Sequence, residues 1–297
     1  MDKNFTKDVL KKVKSLEITT KKLVNDALSG HYHSVFKGQG MNFSEIREYV
    51  IGDDVKNIDW NVTARQGTPH IKKYNEERER TILLLIDISP STLFGSIKSK
   101  KDVIAELSSV LTFAAEKNLD KVGLILFTDR IELFIPPGKG RSHLLRIIRE
   151  ILYYEPKGKL TDLTIVLDFL NKSFSRKVVA FLISDFNILN NPVDLKVKFK
   201  STGVHHDLIT VRITDKNEIE IPNVGIITLE DLESGEILEV DTSSRRVRKN
   251  YKNLILQKNS DFEGMIKSCG IDLLNIDTEH NYMPILVKFF TIREKRK

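Results

Sequence analysis

Asp87, Ser89 and Ser91 are the residues of this sequence whose types and spacing most clearly suggest chemistry. Asp87 supplies a charged carboxylate, and the two serines supply neutral hydroxyl oxygens. Hard oxygen ligands of this kind suit Mg²⁺ or Mn²⁺ better than zinc. Pro90 restricts the turn between the serines. The same residue types also cap helices, so the D-x-S-x-S pattern alone leaves both interpretations open.

A short apolar segment positions this cluster. The run from Thr81 to Ile86 follows the charged residues 76–80 and stops at Asp87. A short apolar run with such flanks predicts a buried strand of a parallel sheet. Because ligands of α/β sheets bind at the carboxyl ends of the strands, Asp87 lies where a site is expected.

Two further polar residues occupy equivalent places in the chain. Thr161 opens a predicted helix, and Asp185 follows the apolar run 178–183. In a doubly wound sheet, such strand ends and helix starts share one edge. We therefore expect hard oxygens from three loops to meet there and to suit a divalent cation, supplied by Asp87, Ser89, Ser91, Thr161 and Asp185.

Composition indicates an ordinary folded protein. Of its 297 residues, 40% are hydrophobic and 30% are charged, and the formal net charge is +6. This charge permits acidic partners or membrane surfaces, but the lysines are spread along the chain, which favours a solvated surface. The single cysteine, Cys269, excludes an intramolecular disulfide. With no signal-peptide h-region and no apolar stretch of about 18 residues, we expect a cytoplasmic protein.

From residue 81 onward, predicted strands alternate with predicted helices, which requires crossover connections and hence a mainly parallel sheet. We expect a helix over residues 1–29, an N-terminal helix and β-rich family-specific segment over 1–80, and an α/β domain over 81–297. Strands are predicted at 81–86, 122–127, 131–135, 178–183, 206–213 and 271–276, and helices at 101–117, 142–154, 161–170, 192–202, 244–268 and 283–294. A β-hairpin insertion is expected at about 218–242, with its turn at 231–234.

The site motifs resemble those of a known fold. The D-x-S-x-S pattern at 87–91, followed by Thr161 and Asp185, is similar to the metal-ion-dependent adhesion site of von Willebrand factor A-like domains. The segment 118–127 also resembles the second strand of that fold. The resemblance implies an α/β fold with a doubly wound, mainly parallel sheet flanked by helices. It also implies a site in which Mg²⁺ or Mn²⁺ binds the carboxylate of a partner protein.

The segment 47–65 resembles a narrower family, and the resemblance extends from about residue 30 to the end of the chain. It matches the signature of domain-of-unknown-function family 58, which is similar to von Willebrand A proteins and is associated with MoxR-type AAA+ ATPases. The matching residues are Arg47, Tyr49, Gly52, Asp53, Asp54, Asp59, Trp60 and Arg65. We expect them to form an ion-paired structural scaffold, with a second metal site on Asp53 and Asp54 as the alternative. One departure is Gly158-Lys159-Leu160, where many members carry a Gly-Gly pair.

Together these features predict a non-enzymatic adaptor or co-factor of a MoxR-type AAA+ ATPase. It would bind an unidentified client protein through its metal site and could join a membrane-associated complex through its partners. A Mg²⁺-dependent hydrolase is one alternative, but phosphatases with a D-x-D motif need an acid where this chain has Ser89. Nucleic-acid binding is the other alternative; no basic stripe is interleaved with aromatic residues, so we expect no nucleic-acid partner.

Overall fold

The computed structural model of the chain describes residues 3–24, 32, 40–77, 79–187, 192–230 and 237–296. The chain divides into two compact units, one formed by residues 1–35 together with 81–297 and the other by residues 36–80. The predicted hairpin turn at 231–234 and the end of the predicted first helix, 25–29, lie outside the described residues.

Helices and strands alternate along most of the chain. The helices are α1 Lys3–Leu23, α2 Trp60–Gln66, α3 Lys100–Lys117, α4 Arg141–Tyr153, α5 Leu163–Ser173, α6 Pro192–His205, α7 Lys216–Ile219, α8 Arg245–Ser268 and α9 Met283–Lys295. The strands are β1 Gly40–Glu48, β2 His70–Glu77, β3 Thr81–Asp87, β4 Lys121–Phe127, β5 Ile131–Gly138, β6 Val179–Ser184, β7 Asp207–Thr214, β8 Ile226–Glu230, β9 Ile237–Asp241 and β10 Asp272–Asp277.

A six-stranded sheet forms the centre of the larger unit, with the strand order β10-β7-β6-β3-β4-β5. Neighbouring strands are parallel except for β4 and β5, which are antiparallel. Residues 82–87 of β3 are fully buried, because β4 and β6 flank this strand and helices cover both faces of the sheet. That position explains why the sequence of β3 is continuously apolar rather than alternating. The predicted mainly parallel sheet is thus confirmed.

Helices pack on the sheet through apolar stripes. On one face, Leu83 and Leu85 of β3 belong to a buried cluster with Leu163 and Leu167 of α5. The same cluster includes Phe199 of α6 and Ile266 of α8. Helix α3 packs against β3, β4 and β7, and it also contacts α4. This layering fixes the helix starts at the carboxyl edge of the sheet, where the predicted site residues lie.

Helix α1 packs with the larger unit. Its Glu17 carboxylate accepts two hydrogen bonds from the Arg141 guanidinium of α4, at 2.7 and 3.0 Å. The Lys21 ammonium lies 5.3 Å from the centroid of the Phe113 ring of α3. The sequence pattern placed α1 in one segment with the rest of residues 1–80, whereas these contacts join it to the α/β sheet unit.

Two antiparallel strand pairs lie in the segments where the sequence predicts β structure outside the central sheet. In the 36–80 unit, β1 and β2 form an antiparallel pair. The predicted insertion contains the antiparallel pair β8 and β9, preceded by the short helix α7. None of the helices in the described part of the chain has the length and apolar character needed to cross a membrane.

Candidate ion-binding site

Asp87 ends β3 and is completely buried. Its Oδ1 accepts a hydrogen bond from the backbone N–H of Ser89 at 2.9 Å. Its Oδ2 accepts one from the Ser184 hydroxyl at 2.7 Å and a longer one from the Thr161 hydroxyl at 3.4 Å. Asp87 therefore joins the loop after β3 to the end of β6 and to the loop that leads into α5.

The two serines of the D-x-S-x-S pattern face one another. Ser89 Oγ lies 3.0 Å from Ser91 Oγ, and Ser89 is buried. Ser89 precedes a short 3₁₀ helix, Pro90–Leu93, but its side chain makes no capping hydrogen bond. Its backbone carbonyl instead accepts from the Thr92 hydroxyl at 2.7 Å. The Ser89 hydroxyl is therefore not used to cap this short helix.

The loop that carries Thr161 is held by β5 and by the loop after β4. The Glu132 carboxylate accepts from the backbone N–H groups of Lys157 and Gly158, at 3.0 and 2.6 Å. The backbone N–H of Asp162 donates to the Thr128 carbonyl at 3.1 Å. These bonds fix the backbone on both sides of Thr161, which is only 6% exposed.

Gly158 is required in this loop by space rather than by backbone angle. A Cβ atom at this position would lie 2.1 Å from both Thr128 Oγ1 and Asp129 Oδ1. The sequence has a single glycine here, where the family resemblance predicts a Gly-Gly pair. That glycine, Gly158, occupies the position at which a Cβ atom would not fit.

Asp185 follows β6, and its side chain is 4% exposed. Its Oδ1 accepts from the backbone N–H of Asn187 at 3.1 Å, and its Oδ2 accepts from the Lys100 ammonium at 2.7 Å. The next residue, Phe186, has a φ of 55°, an uncommon conformation for a bulky side chain. Its N–H donates to Ser184 Oγ at 2.9 Å, which orients the hydroxyl that donates to Asp87.

Three residues of this cluster were not predicted from the sequence. Ser184 is the last residue of β6, Lys100 is the first residue of α3, and Glu218 lies in α7. The Lys100 ammonium pairs with Asp185 and, at 2.5 Å, with Glu218 Oε1. Of these three residues, only Ser184 could have been identified from the sequence, because it lies at a strand end next to Asp185.

The charges of this cluster affect one another. Burial, followed by the nearby charge of Asp185, raises the pKa of Asp87 to about 6. Burial also acts to lower the pKa of Lys100, but the attraction of Asp185 and Glu218 outweighs it, so the pKa of Lys100 is raised. Burial raises the pKa of Glu218 in spite of Lys100. The site therefore contains carboxylates whose charge costs free energy unless a cation lies close by.

The donor set fits a hard divalent cation. Among the described residues, no group of three or more His, Cys, Asp or Glu side chains is arranged to hold a metal ion. Any ion at this edge must therefore rely on hydroxyl oxygens as well as carboxylates. Ser89, Ser91 and Thr161 supply such oxygens within hydrogen-bonding contact of Asp87 or of each other. Oxygen-only coordination of this kind suits Mg²⁺ or Mn²⁺.

In the smaller unit, the signature residues form a hydrogen-bonded scaffold. The Arg47 guanidinium donates to both carboxylate oxygens of Asp53 at 2.8 Å, and Val50 N–H also donates to Asp53. Gly52 between them has a φ of +111°, which favours glycine. Since the Asp53 carboxylate is fully engaged by Arg47 and Val50, the geometry supports the structural interpretation over a second metal site.

The other signature residues shape the turns of this unit. Asp54 caps the 3₁₀ helix Val55–Asn57, and Asp59 caps α2 by accepting from the N–H groups of Asn61 and Val62. Asp59 also pairs with Lys72 at 3.2 Å. Tyr49 is half-buried, whereas Arg65 is exposed and Trp60 is 67% exposed. An exposed tryptophan contributes little to the packing of the unit.

Comparison with known proteins places the chain among relatives of unknown function. The profile of the family described as "Protein of unknown function DUF58" matches residues 45–261. Uncharacterized protein Rv1480 of Mycobacterium tuberculosis is 27% identical over 286 residues, which is 95% of this chain and 89% of that protein. Uncharacterized protein MAV169 of Mycobacterium avium is 24% identical over 163 residues, 54% of this chain and 94% of that protein.

Solved structures resemble the fold at low sequence identity. The VWA domain of SpRpn10 covers 71% of this chain and 95% of its own, at 12% identity and a TM-score of 0.40. An aerotolerance-related membrane protein from Bacteroides fragilis covers 73% of this chain and 100% of its own, at 14% identity and a TM-score of 0.50. The observed sheet order, together with the match at a TM-score of 0.50, confirms the predicted von Willebrand factor A-like fold.

Proposed function

The chain belongs to the DUF58 family, and we propose that it is a metal-dependent protein-interaction module. Its von Willebrand factor A-like fold suggests a protein-interaction role. The observation that supports the metal dependence is the convergence on Asp87 Oδ2 of hydroxyls from Thr161 and Ser184, at 3.4 and 2.7 Å. This convergence joins the ends of β3 and β6 to the loop before α5 at the carboxyl edge of the sheet, where α/β proteins bind ligands.

Asp87, Ser89, Ser91 and Thr161 are the proposed direct holders of Mg²⁺ or Mn²⁺, and Asp185 completes the charge of the site. Bound there, the ion would supply a Lewis-acidic coordination position for a carboxylate from outside the protein. The three hydroxyls are neutral, so they add ligands without cancelling the charge of the ion. Burial of Asp87 and Ser89 excludes water from the inner side of the site, which strengthens electrostatic attraction there.

We propose a MoxR-type AAA+ ATPase as the partner, together with a client protein that offers an Asp or Glu side chain. The partner assignment is supported by the family resemblance, and the carboxylate assignment by the oxygen-only donor set. The proposed role is binding rather than catalysis. Position 89, where a D-x-D phosphatase has its second acid, holds a serine whose hydroxyl lies against Ser91.

A pull-down with the MoxR-type ATPase of the same genome tests this function. Wild-type protein should capture the ATPase in Mg²⁺ and lose it in EDTA, and Asp87→Ala and Ser89→Ala should fail in both. Matched controls are Asp194→Ala and Ser201→Ala, which change the same residue types at exposed positions of α6. Capture that persists in EDTA and in Asp87→Ala would refute metal-dependent binding. Failure of the wild type in Mg²⁺ would refute the partner.

A further inference from the structure

A buried ammonium group lies beside the proposed ion site. Lys100 is only 1% exposed, although lysine is almost never fully buried without a charged partner. Its Nζ lies 2.7 Å from Asp185 Oδ2 and 2.5 Å from Glu218 Oε1. A buried lysine placed between two carboxylates is a fixed positive charge in a region of low dielectric constant, where charges act strongly on one another.

Surrounding loops hold this lysine in place. Glu218 is oriented by the backbone N–H of Asp215, which donates to its Oε2 at 3.2 Å. Asp215 is itself buried and accepts from the Ser96 backbone at 2.9 Å and from the Thr278 hydroxyl at 2.6 Å. Glu218, which pairs with Lys100, is therefore tied through Asp215 to the loops after β3, β7 and β10.

The position of Lys100 divides the carboxylates of the site into two groups. Asp185 has one oxygen on Lys100 and the other on the Asn187 N–H, so both of its oxygens are engaged. Asp87 has no ammonium or guanidinium partner in the hydrogen bonds that hold it, which come from Ser89, Thr161 and Ser184. Asp87 is thus the carboxylate without a cationic partner, whereas Asp185 shares the Lys100 ammonium with Glu218.

We propose that Lys100 is a resident cation that limits the metal affinity of the site and leaves Asp87 as its one charged ligand. This inference rests on the proposed function. An ion held by one carboxylate and neutral hydroxyls keeps more of its positive charge. It would then bind more tightly when a partner supplies a second carboxylate, so metal and partner should strengthen each other's binding.

The test is the affinity of the full chain for Mn²⁺ alone, measured by calorimetry and by electron paramagnetic resonance of free Mn²⁺. Two variants remove the ammonium: Lys100→Met, and Lys100→Met combined with Glu218→Gln. The double variant removes one positive and one negative charge, so the net charge of the cluster stays that of the wild type. It also removes the unpaired glutamate that the single variant would leave, so that only Asp185 loses its ammonium partner. Lys98→Met is the matched control, because Lys98 pairs with Glu106 at the surface.

Both Lys100 variants should bind Mn²⁺ at least about tenfold more tightly than the wild type, since a like charge next to the ion is removed. Lys98→Met should match the wild type. Measurable but weaker Mn²⁺ binding by the wild type than by the double variant supports the inference. Equal affinity of wild type and double variant overturns it and leaves the proposed function standing. Absence of Mn²⁺ binding in every protein overturns the inference and the proposed function together.

Discussion

The Thr161 hydroxyl lies 3.4 Å from Asp87 Oδ2, although the two residues are 74 positions apart in the chain. The contact exists because α5 begins at the same edge of the sheet at which β3 ends. Bonds to Glu132 and Thr128 hold the loop before α5 in this place. A small shift of that loop should therefore weaken ion binding without unfolding the protein.

Gly158→Ala should produce such a shift. The added Cβ would meet Thr128 Oγ1 and Asp129 Oδ1 at 2.1 Å, so the loop must move and carry Thr161 with it. We expect Mn²⁺ affinity to fall on the order of tenfold, as for other changes behind metal ligands. Calorimetric titration with Mn²⁺ measures this affinity. The control is Gly264→Ala in α8, where a Cβ meets nothing within 4 Å. Equal affinities for the two variants would contradict the role of the loop.

The raised pKa of Asp87 predicts a pH dependence of stability. Burial and the charge of Asp185 raise this pKa from 3.8 to about 6. Between these values the folded protein holds a proton that the unfolded chain releases, so metal-free stability should fall as pH rises through this window. At pH 8, Asp87→Asn should then be more stable than the wild type without metal, by roughly 1–3 kcal/mol.

Urea denaturation at pH 5 and pH 8, with and without Mg²⁺, measures this effect. Mg²⁺ should stabilise the wild type at pH 8, where Asp87 is ionised, and much less at pH 5. Asp87→Asn should gain nothing from Mg²⁺ at either pH. A wild type that is more stable at pH 8 than Asp87→Asn in the absence of metal would show that the Asp87 charge is not costly.

Asp215 should be a strong stabilising residue of the larger unit. It is fully buried, and its carboxylate accepts from Ser96 in the loop after β3, from Asn217 in α7 and from Thr278 in the loop after β10. Burial opposes its charge, but the hydrogen bonds from Ser96 and Thr278 outweigh burial and lower the pKa of Asp215. Asp215→Ala leaves those donors unpaired and should cost about 2–4 kcal/mol in urea denaturation. Asp194→Ala, at an exposed position, should change stability by less than about 0.5 kcal/mol. Similar values for both variants would contradict this account.

Gly52 should be important for the scaffold of the smaller unit. Its φ of +111° is poorly tolerated by other residues, while nothing lies within 4 Å of an added Cβ. Gly52→Ala should therefore act through backbone strain alone and cost roughly 1 kcal/mol locally. Hydrogen exchange should become faster at the Val50 and Asp53 amides, which bond across this turn. Unchanged exchange at both amides, with the Leu84 amide of the sheet as internal reference, would show that the turn is not strained.

The sequence correctly indicated the location of those site residues that lie at the end of a buried strand. The run before Asp87 and the run before Asp185 are buried on both faces, so their apolar composition revealed β3 and β6 directly. Because β3 and β6 are parallel neighbours, their carboxyl ends lie side by side. The structure brings Asp87, Ser89, Ser91 and Thr161 into one cluster. Their role as metal ligands remains a prediction.

The role of Lys100 could not be predicted from the sequence, because its burial depends on partners that are distant in the chain. A lysine at the start of a helix, after a polar loop, has the pattern of a surface residue. Glu218 becomes its partner only after β7 and α7 are in place. Ser184 was missed for a related reason, since the direction of its hydroxyl follows from the pairing of β6 with β3. Such long-range electrostatic partners leave no local periodicity in the sequence.

The central claim is tested most directly by Mn²⁺ titration of the metal-free full chain at pH 8. Wild-type protein should bind one Mn²⁺ per chain, Asp87→Ala and Thr161→Ala should lose that binding, and Asp194→Ala should retain it. Wild-type protein that binds no Mn²⁺, or an Asp87→Ala protein that binds it with unchanged affinity, would contradict an ion site at the end of β3.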